Sequence, residues 1–113
     1  MKTVQVDYAK GFHILLADAH SQAGTLVIEP GKKVGGAKNR HRGADQWIYV
    51  ESGEGEAEVA GAKLAMRKGT LILVQRGDAH GLRCTGEEAL RILTFYVPPA
   101  YDQDCNELPA GMP

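Results

Sequence analysis

Two histidines and one glutamine are side chains that could bind a metal ion. His41 and His80 carry imidazole nitrogens and Gln46 carries an amide oxygen, and both kinds of donor bind divalent cations in proteins. Side chains alternate between the two faces of a strand, so Asn39 shares a face with His41 if both lie on one strand. These residues are candidates for a metal site, provided that the fold brings their strands to the same side.

The segments that would carry these side chains have the pattern of short strands. Alternating apolar residues predict strands at 12–16, 25–28, 47–50, 57–59, 64–66, 71–74 and 90–97. Glycine-containing pairs, such as those at 30–31, 35–36 and 52–53, predict the turns between them. No segment keeps helical spacing for more than one or two turns. The sequence therefore predicts an all-β fold, either a sandwich or a closed barrel.

Length, charge and cysteine content indicate one soluble domain. The 113 residues carry a formal net charge of -1, which gives little attraction for phosphate backbones or anionic lipid, so we expect no nucleic-acid partner and no membrane partner. The apolar run at 14–17 is too short for a bilayer span or a signal peptide. Cys84 and Cys105 form no CxxC pair, so we expect reduced thiols and a cytoplasmic location.

The distribution of proline divides the chain. Four of the five prolines follow residue 97, in a stretch without strand alternation. We expect a β-barrel domain over residues 1–97 and a proline-rich tail over residues 98–113 that packs on the barrel or on a partner, with a frayed terminus as the alternative.

The spacing of histidine, glutamine and glycine in residues 39–53 resembles the first signature motif of the cupin superfamily. That motif runs Gly, five residues, His-x-His, three or four residues, Glu, six residues, Gly. Here Asn39 and His41 occupy the histidine pair, four residues precede Gln46, and six residues separate Gln46 from Gly53. Lys33 stands where the motif has its leading glycine, so the spacing is kept only from the histidine pair onward.

The second cupin motif is also recognisable, with its spacing intact. It runs Gly, five residues, Pro-x-Gly, two residues, His, three residues, Asn, and those places are held here by Gly69, Gln75, Gly77, His80 and Cys84. The two motifs span residues 39–84, and the flanking strands suit the same barrel. The resemblance implies a double-stranded β-helix, the cupin jelly-roll barrel, in which His41, Gln46 and His80 face the interior and hold a metal ion.

The departures from the motifs affect the chemistry that the resemblance implies. Asn39 replaces a histidine, Gln46 replaces the glutamate and Cys84 replaces the asparagine. Amide oxygens are neutral and weaker donors than carboxylates, so metal affinity should fall while a bound ion keeps its full charge. We therefore expect a divalent metal (Mn, Fe, Ni, Cu or Zn) and a metal-dependent enzyme acting on a small polar metabolite, with isomerase or lyase chemistry favoured over dioxygenase chemistry. The alternative is a non-catalytic module that binds or senses a small molecule.

Several side chains have a structural interpretation beside the functional one. The two motif histidines could be hydrogen-bonded core residues, and Asn39 could support a turn. Cys84 could be a soft ligand or a reactive thiol, but a small buried filler is the more common role of such a residue. Tyr96 could reach the site as a donor, or simply pack in the core with its hydroxyl satisfied. No catalytic acid or base is evident.

Aromatic residues that are expected on the outer face of the strands indicate a protein partner. Strand alternation places Trp47 and Tyr49 on the face opposite Gln46, and Phe95 is a third candidate. An apolar outer sheet face usually meets another protein surface. Small cupins commonly pair through one sheet, so we expect a homodimer as well as a small-molecule ligand or substrate.

Overall fold

Nine strands form two antiparallel sheets in the computed structural model, which describes residues 1–36, 43–102 and 104. The strands are β1 (Gly11–Ala17), β2 (Gln22–Ile28), β3 (Lys33–Gly36), β4 (Asp45–Ser52), β5 (Gly55–Val59), β6 (Ala62–Met66), β7 (Leu71–Val74), β8 (His80–Cys84) and β9 (Leu90–Val97). Among the described residues no helix is long and apolar enough to cross a membrane.

The two sheets differ in size and share one core. The larger sheet has the strand order β1-β2-β9-β4-β7, and the smaller has the order β3-β8-β5-β6. Inward side chains of both sheets meet in one buried cluster, to which β4 contributes Ile48 and Val50, β9 contributes Ile92, and β5 and β8 contribute Ala57 and Leu82. This arrangement is the predicted all-β jelly roll, with alternate residues of each strand turned inward.

The hairpin between β5 and β6 shows how local sequence sets the sheet register. Ala60 and Gly61 both have positive φ, 49° and 84°, as a two-residue type I′ turn requires. The turn pairs Val59 with Ala62 and continues to the pair Gly55 and Met66. Glu56 and Glu58 are exposed while Gly55 and Ala57 are buried, which confirms the predicted alternation of this strand.

One predicted turn is wrong. Gly35 and Gly36 were expected to form a turn, but they end strand β3 and pair with Gly81 and His80 of β8. A Cβ at Gly81 would lie 3.2 Å from the backbone nitrogen of Gly36, so glycine here permits a close approach of two strands. The same lack of a side chain that suits a turn also suits this pairing.

The outer surface of the larger sheet carries a group of exposed apolar side chains. Trp47, Tyr49 and Phe95 are 39%, 38% and 38% exposed, so the expectation that they point outward is confirmed. Leu71 and Leu73 on β7 and Val97 on β9 are exposed beside them. We refer to these six residues as the outer apolar face.

The chain beyond β9 turns back onto the barrel. Ala100 is buried in a small cluster with Ala44 and Tyr96, and Phe12 and Tyr101 pack against this cluster. Residues 103 and 105–113, which include Cys105 and most of the predicted tail, lie outside the described residues.

Candidate functional site

A cavity of about 200 Å³ lies between the two sheets. The larger sheet and the smaller sheet both contribute to its wall, and one residue comes from the segment after β9. The lining residues are Phe12, Leu26, Val34, Gln46, His80, Leu82, Tyr96 and Tyr101. The cavity is thus largely apolar, with a few polar groups at defined positions, which is the usual composition of a small-molecule site.

The structure brings together two of the four predicted metal ligands. Gln46 at the start of β4 and His80 at the start of β8 line the same cavity, and both are buried. Both side chains point inward because of strand alternation. Gln46 shares its face with buried Ile48, and His80 shares its face with buried Leu82. His41 and Asn39 lie outside the described residues.

The amide nitrogen of Gln46 is fully engaged in hydrogen bonds. Nε2 donates to Oγ1 of Thr94 at 3.0 Å and to the hydroxyl of Tyr96 at 3.1 Å. Thr94 in turn donates its single hydroxyl proton to the carbonyl oxygen of Trp47 at 2.8 Å, so its oxygen must act as an acceptor toward Gln46. These hydrogen bonds require that the nitrogen of the Gln46 amide, and not its oxygen, faces β9.

The amide oxygen of Gln46 is buried and has no hydrogen-bond partner among the described residues. A buried acceptor left without a partner costs about 1–3 kcal/mol, which makes this atom an obvious binding point for a cation or a donor. Oγ1 of Thr25 is also buried and without such a partner, but Thr25 does not line the cavity.

The contact between His80 and Asp78 favours a tautomer that suits metal binding. Its Nδ1 lies 3.3 Å from the carbonyl oxygen of Asp78, and because a carbonyl only accepts, Nδ1 carries the proton in this contact and the lone pair of the neutral ring is on Nε2. Burial lowers the pKa of His80 below its ordinary value of 6.5, although the bond to Asp78 and its charge act in the opposite direction. The ring therefore stays neutral to a lower pH than a free histidine.

The nearest carboxylate to Gln46 in sequence is turned away from the cavity, as strand alternation predicts. Asp45 accepts hydrogen bonds from the backbone nitrogen of Arg76 at 2.8 Å and from its Nε at 3.3 Å. These bonds hold the pKa of Asp45 below its usual value. Among the described residues no three His, Cys, Asp or Glu side chains come together as a metal site; of the two histidines in the predicted set, only His80 is described.

Of the other residues with two interpretations, Cys84 has a structural role, whereas Tyr96 also lines the cavity. Cys84 is 1% exposed within the core cluster, its Sγ donates to the carbonyl oxygen of Glu88, and it does not line the cavity. His13 and His20 are exposed. Tyr96 combines both of its alternatives, because it packs in the core and also bonds Gln46 at the cavity wall.

Sequence reasoning did not identify Phe12, Tyr101, Thr94 or Gln22 as contributors to the site. Phe12 and Tyr101 form part of the cavity wall, Thr94 orients Gln46, and Gln22 holds the backbone at Tyr101. For Thr94 and Gln22 a signal was present: each is a polar residue at an inward position of a largely apolar strand. Such residues need a hydrogen-bond partner in the interior.

Comparisons with known proteins agree with this architecture. A protein of Bacillus halodurans has a TM-score of 0.76 and 24% identity, with 91% of this chain and 76% of that chain covered. KdgF from Halomonas sp. has a TM-score of 0.70 and 22% identity, with 78% and 77% covered. A predicted oxalate decarboxylase from Thermotoga maritima has a TM-score of 0.70 and 22% identity, with 78% and 79% covered. These similarities establish the fold.

Sequence comparison identifies the family. No curated protein matches the chain. The family model of the cupin domain, however, matches residues 24–96, a range that includes both motifs as well as Gln46 and His80. Together with the two-sheet barrel, this match shows that the chain belongs to the cupin family.

Proposed function

We propose that this cupin binds a divalent metal ion in the barrel cavity through Nε2 of His80 and Oε1 of Gln46, and that it acts on a small polar metabolite. His41, with Asn39 as a further candidate, would complete the ligand set. The observation that carries the proposal is the buried Oε1 of Gln46, which has no partner among the described residues. A cation is the kind of partner that satisfies such an atom beside a neutral imidazole.

The surrounding residues supply orientation and exclusion of water. A bound Mn, Fe, Ni, Cu or Zn ion held by neutral donors would polarise an oxygen of the substrate. The hydroxyl of Tyr96 accepts a bond from Gln46 and so helps to hold the amide in place. Leu26 and Leu82 keep water from the apolar side of the cavity.

The reaction class within this proposal is that of an isomerase, a lyase or a dioxygenase. The neutral set of His80 and Gln46 favours the first two, since non-haem oxygenases use two histidines and a carboxylate. The presence of a predicted oxalate decarboxylase among the similar structures supports a small polar metabolite as the substrate.

Elemental analysis tests the metal site directly. Protein stripped with a chelator is loaded with each of the five ions and desalted, and we expect about one ion per chain for at least one of them. His80→Ala should lose this ion, while His13→Ala, which removes an exposed histidine outside the cavity, should retain it. Gln46→Glu should bind the ion more tightly than the wild type, and Gln46→Leu more weakly. Absence of stoichiometric metal, or an unchanged content in His80→Ala, overturns the proposal.

A second candidate is a non-catalytic module that binds or senses a small molecule. The described part of the cavity wall contains no carboxylate, so no acid or base other than His80, Tyr96 and Tyr101 is evident there. A screen of metabolites by thermal shift separates the two functions. Turnover of a stabilising compound rules out the binding module, whereas stabilisation without turnover supports it.

We also propose that the protein is a cytoplasmic homodimer. The outer apolar face, with Leu71 60% exposed, supports a partner that covers this sheet, and a second copy related by a twofold axis would cover it with the same residues. Cys84 is a free thiol, which supports a reducing compartment.

A further inference from the structure

The side chain of Gln22 binds the backbone of the segment that follows β9. Gln22 is 3% exposed and lies at the start of β2. Its Nε2 donates to the carbonyl oxygen of Tyr101 at 2.6 Å, and its Oε1 accepts from the backbone nitrogens of Ala100 and Tyr101, each at 3.1 Å. One buried amide thus makes three hydrogen bonds to two consecutive residues. These bonds attach the segment to the barrel.

The attachment places the ring of Tyr101 in the cavity wall. The ring centroid lies 4.8 Å from that of Phe12 and 5.2 Å from that of Tyr96, and the centroids of Phe12 and Tyr96 are 6.3 Å apart. Offset and edge-on contacts at these distances are favourable. Two of the three rings belong to strands, whereas the third depends on a segment held by Gln22.

The cavity volume bears on the size of the ligand. A space of about 200 Å³ is small for a ligand site and suits a molecule of about one substituted six-membered ring. The apolar lining favours a ring with apolar faces, and in the metal-free protein Oε1 of Gln46 favours a hydroxyl group on it as a donor.

We infer that Tyr101 is a specificity-determining residue and that Gln22 is its positioning residue, so that the cavity selects single-ring, hydroxyl-bearing ligands over larger ones. The inference rests on the proposed function only in taking the cavity as the ligand site. It does not require a metal ion. Tyr101 acts by size: removal of its ring should enlarge the cavity on the side of Phe12.

The test uses chelator-treated protein with phenol and 4-phenylphenol as probes, in titrations followed by ligand-observed NMR. Wild-type protein should bind phenol and should bind 4-phenylphenol at least about tenfold more weakly or not at all. Tyr101→Ala should bind 4-phenylphenol at least about tenfold more tightly than the wild type does. Gln22→Ala should act in the same direction, because it releases the backbone of the same residue.

Two controls separate wall formation from general stability. Tyr101→Phe keeps the ring and removes only the hydroxyl, so it should bind phenol and 4-phenylphenol with the same ratio of affinities as the wild type. A changed ratio would mean that the hydroxyl, and not the size of the ring, is responsible. Tyr49→Ala removes an exposed tyrosine of the outer apolar face and should leave the discrimination unchanged. If Gln22→Ala does not fold, the affinities of Tyr101→Ala for the two probes decide whether the inference holds. Equal discrimination in Tyr101→Ala and wild type, or no binding of phenol to wild type, overturns the inference, and neither result affects the metal assay.

Discussion

Thr94 decides which way the amide of Gln46 faces. Its only hydroxyl proton is given to the carbonyl oxygen of Trp47, so it can meet Gln46 only as an acceptor, and Nε2 must point toward it. Strand alternation alone placed Gln46 inward, but it could not show whether nitrogen or oxygen would be left for a ligand. That choice depends on partners nearly fifty residues away in the sequence.

The buried imidazole of His80 predicts a pH-dependent stability of the metal-free protein. Burial lowers the pKa of His80 below 6.5 in the folded state, so between that lower pKa and 6.5 the unfolded chain binds a proton that the folded chain does not. The free energy of unfolding should therefore fall as the pH drops below about 6.5, and the loss should stop growing below the folded pKa.

Chemical denaturation of wild type and His80→Asn from pH 8 to pH 5 measures this effect. The variant lacks the titrating ring, so its unfolding free energy should fall less steeply below pH 6.5. The other three histidines are present in both proteins, and their contributions cancel in the comparison. Parallel curves for the two proteins would contradict the assignment of a lowered pKa to His80.

At the scale of the strands, apolar alternation predicted seven of the nine described strands and left out β3 and β8. Strand β8 was represented only by the second motif, which contains His80. Strand β3 was missed because a short segment with one apolar residue and two glycines has local preferences for a turn. Its strand character comes from pairing with β8, which is a tertiary effect.

Strand β5 contains a position where only glycine fits. A Cβ at Gly55 would overlap the carbonyl oxygen of Arg83 and lie 2.7 Å from Cδ2 of Leu90. Gly55→Ala should therefore destabilise the fold by about 1–3 kcal/mol through overpacking. Gly86→Ala is a matched control, because its Cβ would lie no closer than 3.4 Å to Glu54. Urea denaturation should show a clear loss for the first variant and little change for the second; equal effects would refute the steric account.

At the scale of the whole molecule, the outer apolar face predicts the effect of a charge at its edge. Leu71 is the most exposed of its six residues and lies on edge strand β7. In the proposed homodimer, Leu71→Lys would place an unpaired charge in an apolar interface, at a cost that should dissociate the dimer.

Size-exclusion chromatography with light scattering at micromolar concentration tests this directly. Wild type should elute with the mass of two chains and Leu71→Lys with the mass of one. Leu64→Lys, which changes an exposed leucine of the smaller sheet, should keep the mass of the wild type. A monomeric wild type, or a dimeric Leu71→Lys, would rule out the outer apolar face as the interface.

The site was less predictable than the fold because it is assembled from distant parts of the chain. Motif spacing located Gln46 and His80, which are 34 positions apart in the sequence and line one cavity. No local pattern could reveal that Gln22 would bind residues 78 and 79 positions further along. Such contacts depend on the closed barrel, so they become visible only with the complete fold.

The position of β9 has a consequence for how the chain acquires its binding capacity. This ninth strand lies between β2 and β4 in the larger sheet, and it supplies Thr94 and Tyr96 to Gln46. During synthesis, a nascent chain that has emerged only as far as β8 already carries Gln46 and His80, yet it lacks the strand that joins the two halves of the sheet. The ability to bind a ligand in the cavity should therefore appear in a single late step, when β9 leaves the ribosome.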